Sequence, residues 1–164
     1  MKNAIVVNSV TGNTKMLAQA IKEVLGDEEV GYFGPSDDKA LSASRIYLGF
    51  WTDSGTCDKV TLEFIKKLTN QEIFLFGTAG ADGKDNGYFA SILDTVSKLL
   101  PSTCSLIGSY MCQGKMPQSI KDAYLKMKEK NPSDKSIDTR IENFEKALSH
   151  PDSDDLNNLK KLIK

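Results

Sequence analysis

Histidine is nearly absent: His150 is the only one in 164 residues, which excludes a multi-histidine metal site built by one chain. Cysteine is sparse as well. Cys57, Cys104 and Cys112 are odd in number and show no C-x-x-C or Cys/His spacing, so they read as reduced thiols rather than a disulfide framework or a metal cluster. No run approaches the ~20 apolar residues of a membrane span, and Met1-Lys2-Asn3 leads into a strand without the apolar segment of a signal peptide. The expectation is a cytoplasmic protein with no membrane partner. An excess of one charge sign is missing too, with 21 basic against 22 acidic side chains, so no nucleic-acid footprint is evident. Internal repeats, a second nucleotide fingerprint and an obvious acid/base dyad are all lacking, and no catalytic residue is assigned.

What is present is an alternation of apolar runs and amphipathic stretches. Ala4 to Val7 reads as a first strand. Met16, Leu17, Ala20, Ile21, Val24 and Leu25 recur at helical spacing until Gly26 stops them. Further strands are expected at 29–33, 45–50, 72–77 and 104–110, with helices at about 58–68, 88–100 and after Pro117. This pattern predicts an α/β, doubly wound, five-stranded parallel sheet with right-handed crossovers and helices on both faces. Residues 1–130 form the expected domain. Residues 131–164 form a helical C-terminal extension, whose stripe of Leu156, Leu159, Leu162 and Ile163 packs on the same domain or on a partner subunit.

Three strand ends look unlike simple connectors. Asn8 to Lys15 turns a strand into a helix using hydroxyl residues, Gly12 and Asn13. Such a turn gathers backbone N–H groups at a helix N-terminus, where an anion is favoured; the alternative is an ordinary start capped by Ser9 or Thr11. After the third strand comes Trp51, the single tryptophan, either a stacking surface for a flat ring or a filler at the edge of the sheet. After the fourth comes Thr78-Ala79-Gly80, opening a glycine-rich loop. A doubly wound sheet brings such loops together at the carboxyl ends of its strands. A phosphate at one end and a planar ring at the other describe a mononucleotide.

On these residues the chain resembles the flavodoxin-like family, over roughly residues 3–130. The resemblance implies a flavodoxin-like sheet of order 2-1-3-4-5 and a non-covalently held FMN. Ser9, Thr11, Gly12, Asn13 and Thr14 would hold its phosphate, and Trp51 would lie beside the isoalloxazine. The backbone of Thr52, Asp53 and Gly55 would meet its redox-active edge, with the Asp53 carboxylate disfavouring a negatively charged ring and Gly55 letting a peptide turn over. Thr78, Ala79 and Gly80 would border the ring and ribityl chain. The stretch Gly49-Phe50-Trp51-Thr52-Asp53-x-Gly55, with Cys112-Gln113-Gly114-Lys115-Met116 and His150-Pro151, is similar to short flavodoxin-like proteins associated with bacterial bilirubin reductases. The implied function is an electron-transfer protein working with a redox partner protein, a reductase; the alternative is an FMN-dependent NAD(P)H:acceptor oxidoreductase. Two departures stand out. Tyr88 and Phe89 fall inside a helix, where flavodoxins commonly offer a loop tyrosine to the flavin, and near-neutral charge gives little electrostatic steering.

Overall fold

The computed structural model describes Met1–Lys164. Its strands are β1 (Asn3–Val7), β2 (Val30–Gly34), β3 (Arg45–Asp53), β4 (Thr56–Cys57), β5 (Glu72–Ala79) and β6 (Ser105–Gln113). The helices are α1 (Asn13–Leu25), α2 (Lys59–Ile65), α3 (Tyr88–Ser97), α4 (Gln118–Lys130), α5 (Lys135–Ala147) and α6 (Ser153–Lys160). The five long strands pair in parallel in the order β2-β1-β3-β5-β6. With the two-residue β4 set aside this is the expected 2-1-3-4-5 order, and the order reverses between β1 and β3.

β1, β3 and β5 are apolar almost throughout because both faces are covered. On one face Ile46, Leu48, Phe50, Ile73 and Leu75 meet Phe64 and Ile65 of α2 and Ile92 and Val96 of α3. On the other, Ile5, Tyr47, Phe74 and Phe76 meet Leu17 and Ile21 of α1 and Leu159 beside them on α6. Leu156, Leu159 and Ile163 of the C-terminal stripe join this second core layer, whereas Leu162, expected with them, is exposed because it turns out of the layer after α6. Between these layers three glycines admit neighbouring phenyl rings: Gly49 lies under Phe76, Gly77 under Phe50 and Gly108 under Phe74.

Two elements differ from the expectation. β3 runs through Trp51 to Asp53 and folds back on β4, pairing Thr52 with Cys57 and Asp53 with Thr56. Ser54 and Gly55, with φ of 51° and 82°, make a two-residue turn whose twist matches that of the strands, so a stretch that reads as loop is a hairpin. α4 buries none of its residues, although its apolar spacing is regular. It lies against α5 rather than in either sheet layer, joined by the Lys121–Glu145 ion pair and by Lys128–Asp138 at 2.8 Å.

Candidate functional site

The strand ends converge on a cleft of roughly 310 Å³ lined by Ser9, Thr11, Asn13, Thr14, Trp51, Thr52, Thr78, Ala79 and Gly80. Nine of the twelve expected residues therefore share one site. Gly12 stands behind it as the N-cap of α1, with φ of 90° and no side chain capping the helix. The N–H groups of the first helical turn are left for a ligand. Ser9 supports the turn, its Oγ accepting from Gly12 N at 3.1 Å. Asp53 faces a neighbouring cleft of roughly 650 Å³, which shares Ser9, Val10 and Trp51 and continues to Lys15, Phe33 and Val60. Gly55 occupies the hairpin tip.

The threonines do more stitching than presenting. Thr14 Oγ1 and Thr78 Oγ1 share a 2.9 Å hydrogen bond, and Thr14 Oγ1 also lies 3.4 Å from the Phe50 carbonyl. Thr52 Oγ1 donates to the Thr78 carbonyl at 2.9 Å. These bonds tie the first loop to the ends of β3 and β5 and fix the floor of the cleft. Asn13 donates its amide to the Lys115 carbonyl at 2.8 Å, yet its buried Oδ1 has no partner. A buried acceptor without a donor costs about 1–3 kcal/mol, and in a cleft wall it suits a ligand hydroxyl such as the ribityl chain of FMN carries. An uncapped helix end for the phosphate, an orphaned acceptor for the sugar and an indole for the ring make this donor set fit FMN.

Several residues at the site carried no role in the sequence reading. Gly114, Lys115, Met116, Pro117 and Ile120 form another wall of the cleft. It is held by Gly114 N on the Ala79 carbonyl and Lys115 N on the His150 carbonyl, both at 2.9 Å. Asn143 of α5 donates to the Gly80 carbonyl at 3.0 Å while its Oδ1 accepts from Gln113 Nε2 at 3.0 Å and Asp82 N at 3.2 Å. Asp58 caps α2 and also reaches the backbone N–H of Trp51. The spacing Asp58-x-x-Thr61 was a readable capping signal; nothing in the sequence marked Asn143.

The thiols near the site are quiet. Burial, reinforced by Asp58, raises Cys57, and burial with Asp155 and Asp152 raises Cys112 strongly, so both stay protonated rather than becoming reactive thiolates. His150 is different: its Nδ1 lies 2.6 Å from Asp155 Oδ2, inside the reciprocal cap that Asp152 and Asp155 make for α6. The bond to Asp155 lifts the imidazole above its ordinary 6.5, burial opposes, and the charges of Asp155, Asp152 and Asp82 add to the rise. A raised folded-state value means the stabilisation is complete below the unfolded value and fades as pH climbs through the folded one. His150→Ala is expected to lower the melting temperature more at about pH 5.5 than at about pH 8.5, with a pH-dependent part on the order of 1 kcal/mol or less because the group is partly exposed. Thermal melts of both proteins at the two pH values check this.

A sheet whose strand order reverses beneath this cleft, with an open helix N-terminus on its rim, defines an FMN-binding flavodoxin-like protein. The chain belongs to the flavodoxin family: a model described as "Flavodoxin domain" matches residues 4–164. It is 40% identical over 173 residues to the flavodoxin-like domain-containing protein BilS of Clostridium symbiosum strain WAL-14163, spanning 95% of this chain and 90% of that one. A BilS from Clostridioides difficile strain CD3 is 32% identical over 160 residues, with the same shares. Among solved structures, a short-chain flavodoxin associated with a non-canonical PDU bacterial microcompartment superposes with a TM-score of 0.55 at 16% identity, over 89% of this chain and 98% of the other. That likeness concerns the fold. No helix of the protein is long and apolar enough to cross a membrane.

Proposed function

We propose that this protein is an electron carrier that holds FMN in the cleft between Ser9 and Gly80 and exchanges electrons with a redox partner protein. The observation that carries the reading is the meeting of an uncapped helix N-terminus, the unsatisfied Asn13 Oδ1 and the indole of Trp51 around one cleft of roughly 310 Å³. FMN, when bound, supplies reversible one- and two-electron chemistry. The protein's share is placement. Backbone N–H groups around Gly12 to Thr14, with the Ser9 and Thr11 hydroxyls, take the phosphate; Asn13 accepts from the sugar chain; Trp51 and Thr52 flank the ring; and Thr78 to Gly80 border it. Asp53 and Gly55 lie outside the lining of this cleft, and the β3–β4 hairpin that carries them beside Trp51 and Thr52 is what would bring a carboxylate and a positive-φ peptide to the edge of the ring. Residues 131–164 are part of this FMN-binding unit, since α5 braces the rim.

The partner is a reductase-type redox protein. A bilirubin reductase is the particular partner favoured, on the wording of residues 49–55, 112–116 and 150–151. The unpaired cysteines support work in the cytoplasm. A second reading, an FMN-dependent NAD(P)H:acceptor oxidoreductase, is supported by the neighbouring cleft of roughly 650 Å³, which shares Trp51 and has room for another molecule. Anaerobic mixing of the FMN-loaded protein with NADPH separates the two. A carrier keeps its oxidised flavin absorbance until a catalytic amount of a reductase is added. Bleaching at an enzymatic rate without a partner would instead establish the oxidoreductase.

A further inference from the structure

We infer that the ring face turned away from Trp51 is closed by Met116, just before α4, and Ile120 in its first turn, so that the segment entering α4 is a wall of the flavin site. This rests on the FMN reading of the cleft. β5 lies between β3 and β6 in the sheet, so a ring over the end of β5 has Trp51 rising from the β3 side and Met116 from the β6 side. Both residues line the same cleft. Met116 reaches across to the Gly80 backbone: a Cβ added to Gly80 would stand 2.6 Å from its Sδ.

The segment between β5 and α3 offers no aromatic for that place. Phe89 is buried beneath Gly83, whose added Cβ would meet its ring at 2.5 Å, and Tyr88 packs partly buried against the core formed with α3. A thioether is a suitable substitute, being polarisable and able to lie along an aromatic face or edge. Independent support comes from α4 itself. A helix that buries no residue has apolar surface left over, and Ile120 in its first turn lines the cleft rather than a core layer. A flat ring in the cleft would cover the Ile120 part of that surface.

The wall is built to hold its position. Lys115 is fixed on both sides of its backbone, its N–H donating to the His150 carbonyl at 2.9 Å and its carbonyl accepting from Asn13 at 2.8 Å. Gln113 Nε2 and Asn143 Nδ2 both donate to the Gly80 carbonyl, at 2.9 and 3.0 Å. Residues from the first loop, the end of β5, the end of β6 and α5 thus set the width of the cleft before any ligand arrives, which lowers the ordering cost of binding.

The test uses the full chain, with FMN as the probe. In protein carrying 13C-methyl methionine, the Met116 signal, identified by its loss in Met116→Leu, is expected to shift on FMN addition through the ring current. The dissociation constant from FMN fluorescence quenching is expected to rise about 3- to 10-fold in Met116→Ala, and Met116→Phe to keep wild-type affinity. If wild-type protein binds FMN with no movement of the Met116 signal and Met116→Ala binds equally well, the wall is wrong and the FMN reading stands. If wild-type protein fails to bind FMN, the FMN reading falls and the wall with it. The methyl shift is read on wild-type protein, and the volume-conserving Met116→Leu serves only to assign the signal.

Discussion

Asp58→Ala is expected to cost about 2–4 kcal/mol and to lower the melting temperature by about 5–15 °C. Asp58 is 1% exposed, a buried carboxylate at the N-cap of α2. Its Oδ1 accepts from Thr61 N at 2.9 Å, and its Oδ2 accepts from Thr61 Oγ1 at 2.7 Å and from Trp51 N at 3.4 Å. Asp58 N in turn donates to the Trp51 carbonyl at 3.1 Å. Losing a helix cap costs about 0.5–2 kcal/mol, and leaving a buried N–H unsatisfied about 1–3 more. Against this stands the regained hydration of one carboxylate, which keeps the total below the simple sum. The effect extends to the site, because the base of the β3–β4 hairpin is held through Trp51, and FMN affinity is expected to fall with stability. Asp58→Asn separates the contributions: its amide oxygen can keep the cap, while its NH2 group can donate to Thr61 Oγ1 but faces the Trp51 N–H. An intermediate loss is expected for Asn. Equal melting temperatures for wild type and Asp58→Ala in circular-dichroism melts would remove Asp58 from its structural role.

Asp58 also illustrates what a sequence can and cannot disclose. Its capping role is local, involving Thr61 three residues on, and local hydrogen bonding has a readable spacing. The opening β1-to-α1 turn was legible for the same reason: an apolar run, a hydroxyl- and glycine-bearing turn, then helical periodicity. The β3–β4 hairpin was not, since Ser54-Gly55 reads equally well as loop punctuation, and only pairing of Thr52 with Cys57 distinguishes a turn between strands. α4 was legible as a helix from Pro117 onward, but its periodicity is silent about what it packs against. The helix packs on α5 and lends Ile120 to the cleft wall instead of entering a sheet layer. Asn143 was out of reach altogether. Its partner Gly80 is 63 positions away, and a polar residue within a charged helix looks like solvated surface until tertiary structure brings a carbonyl to it.

Gly77→Val is expected to be the other large loss, about 3 kcal/mol, because the sheet beneath the site is assembled from glycines that admit rings. Gly77 on β5 pairs in register with Phe50 on β3, and Gly49 on β3 pairs with Phe76 on β5. A Cβ at Gly77 would stand 2.6 Å from Phe50 Cζ, and Phe50 is fully buried. The ring has no solvent to retreat into, so the strands must part or the phenyl must leave its preferred rotamer. Overpacking of this kind costs about 1–3 kcal/mol for a single carbon, and valine's two methyl groups put it at or beyond the upper end. A strained β3–β5 pair lies directly below the chemistry. Trp51 follows Phe50, Thr78 follows Gly77, and the Thr52 Oγ1 bond to the Thr78 carbonyl at 2.9 Å spans the same two strands. Gly77→Ala is therefore expected to weaken FMN binding as well as lower the denaturation midpoint. Phe50→Leu in the Gly77→Ala background shortens the obstructing side chain and is expected to restore part of both. Urea unfolding and FMN titration of the two single variants and the double give the coupling directly. Strict additivity would mean that the ring over Gly77 does not set the spacing of β3 and β5. Recovery of FMN affinity together with stability would place the control of cleft width in this glycine–phenylalanine pair.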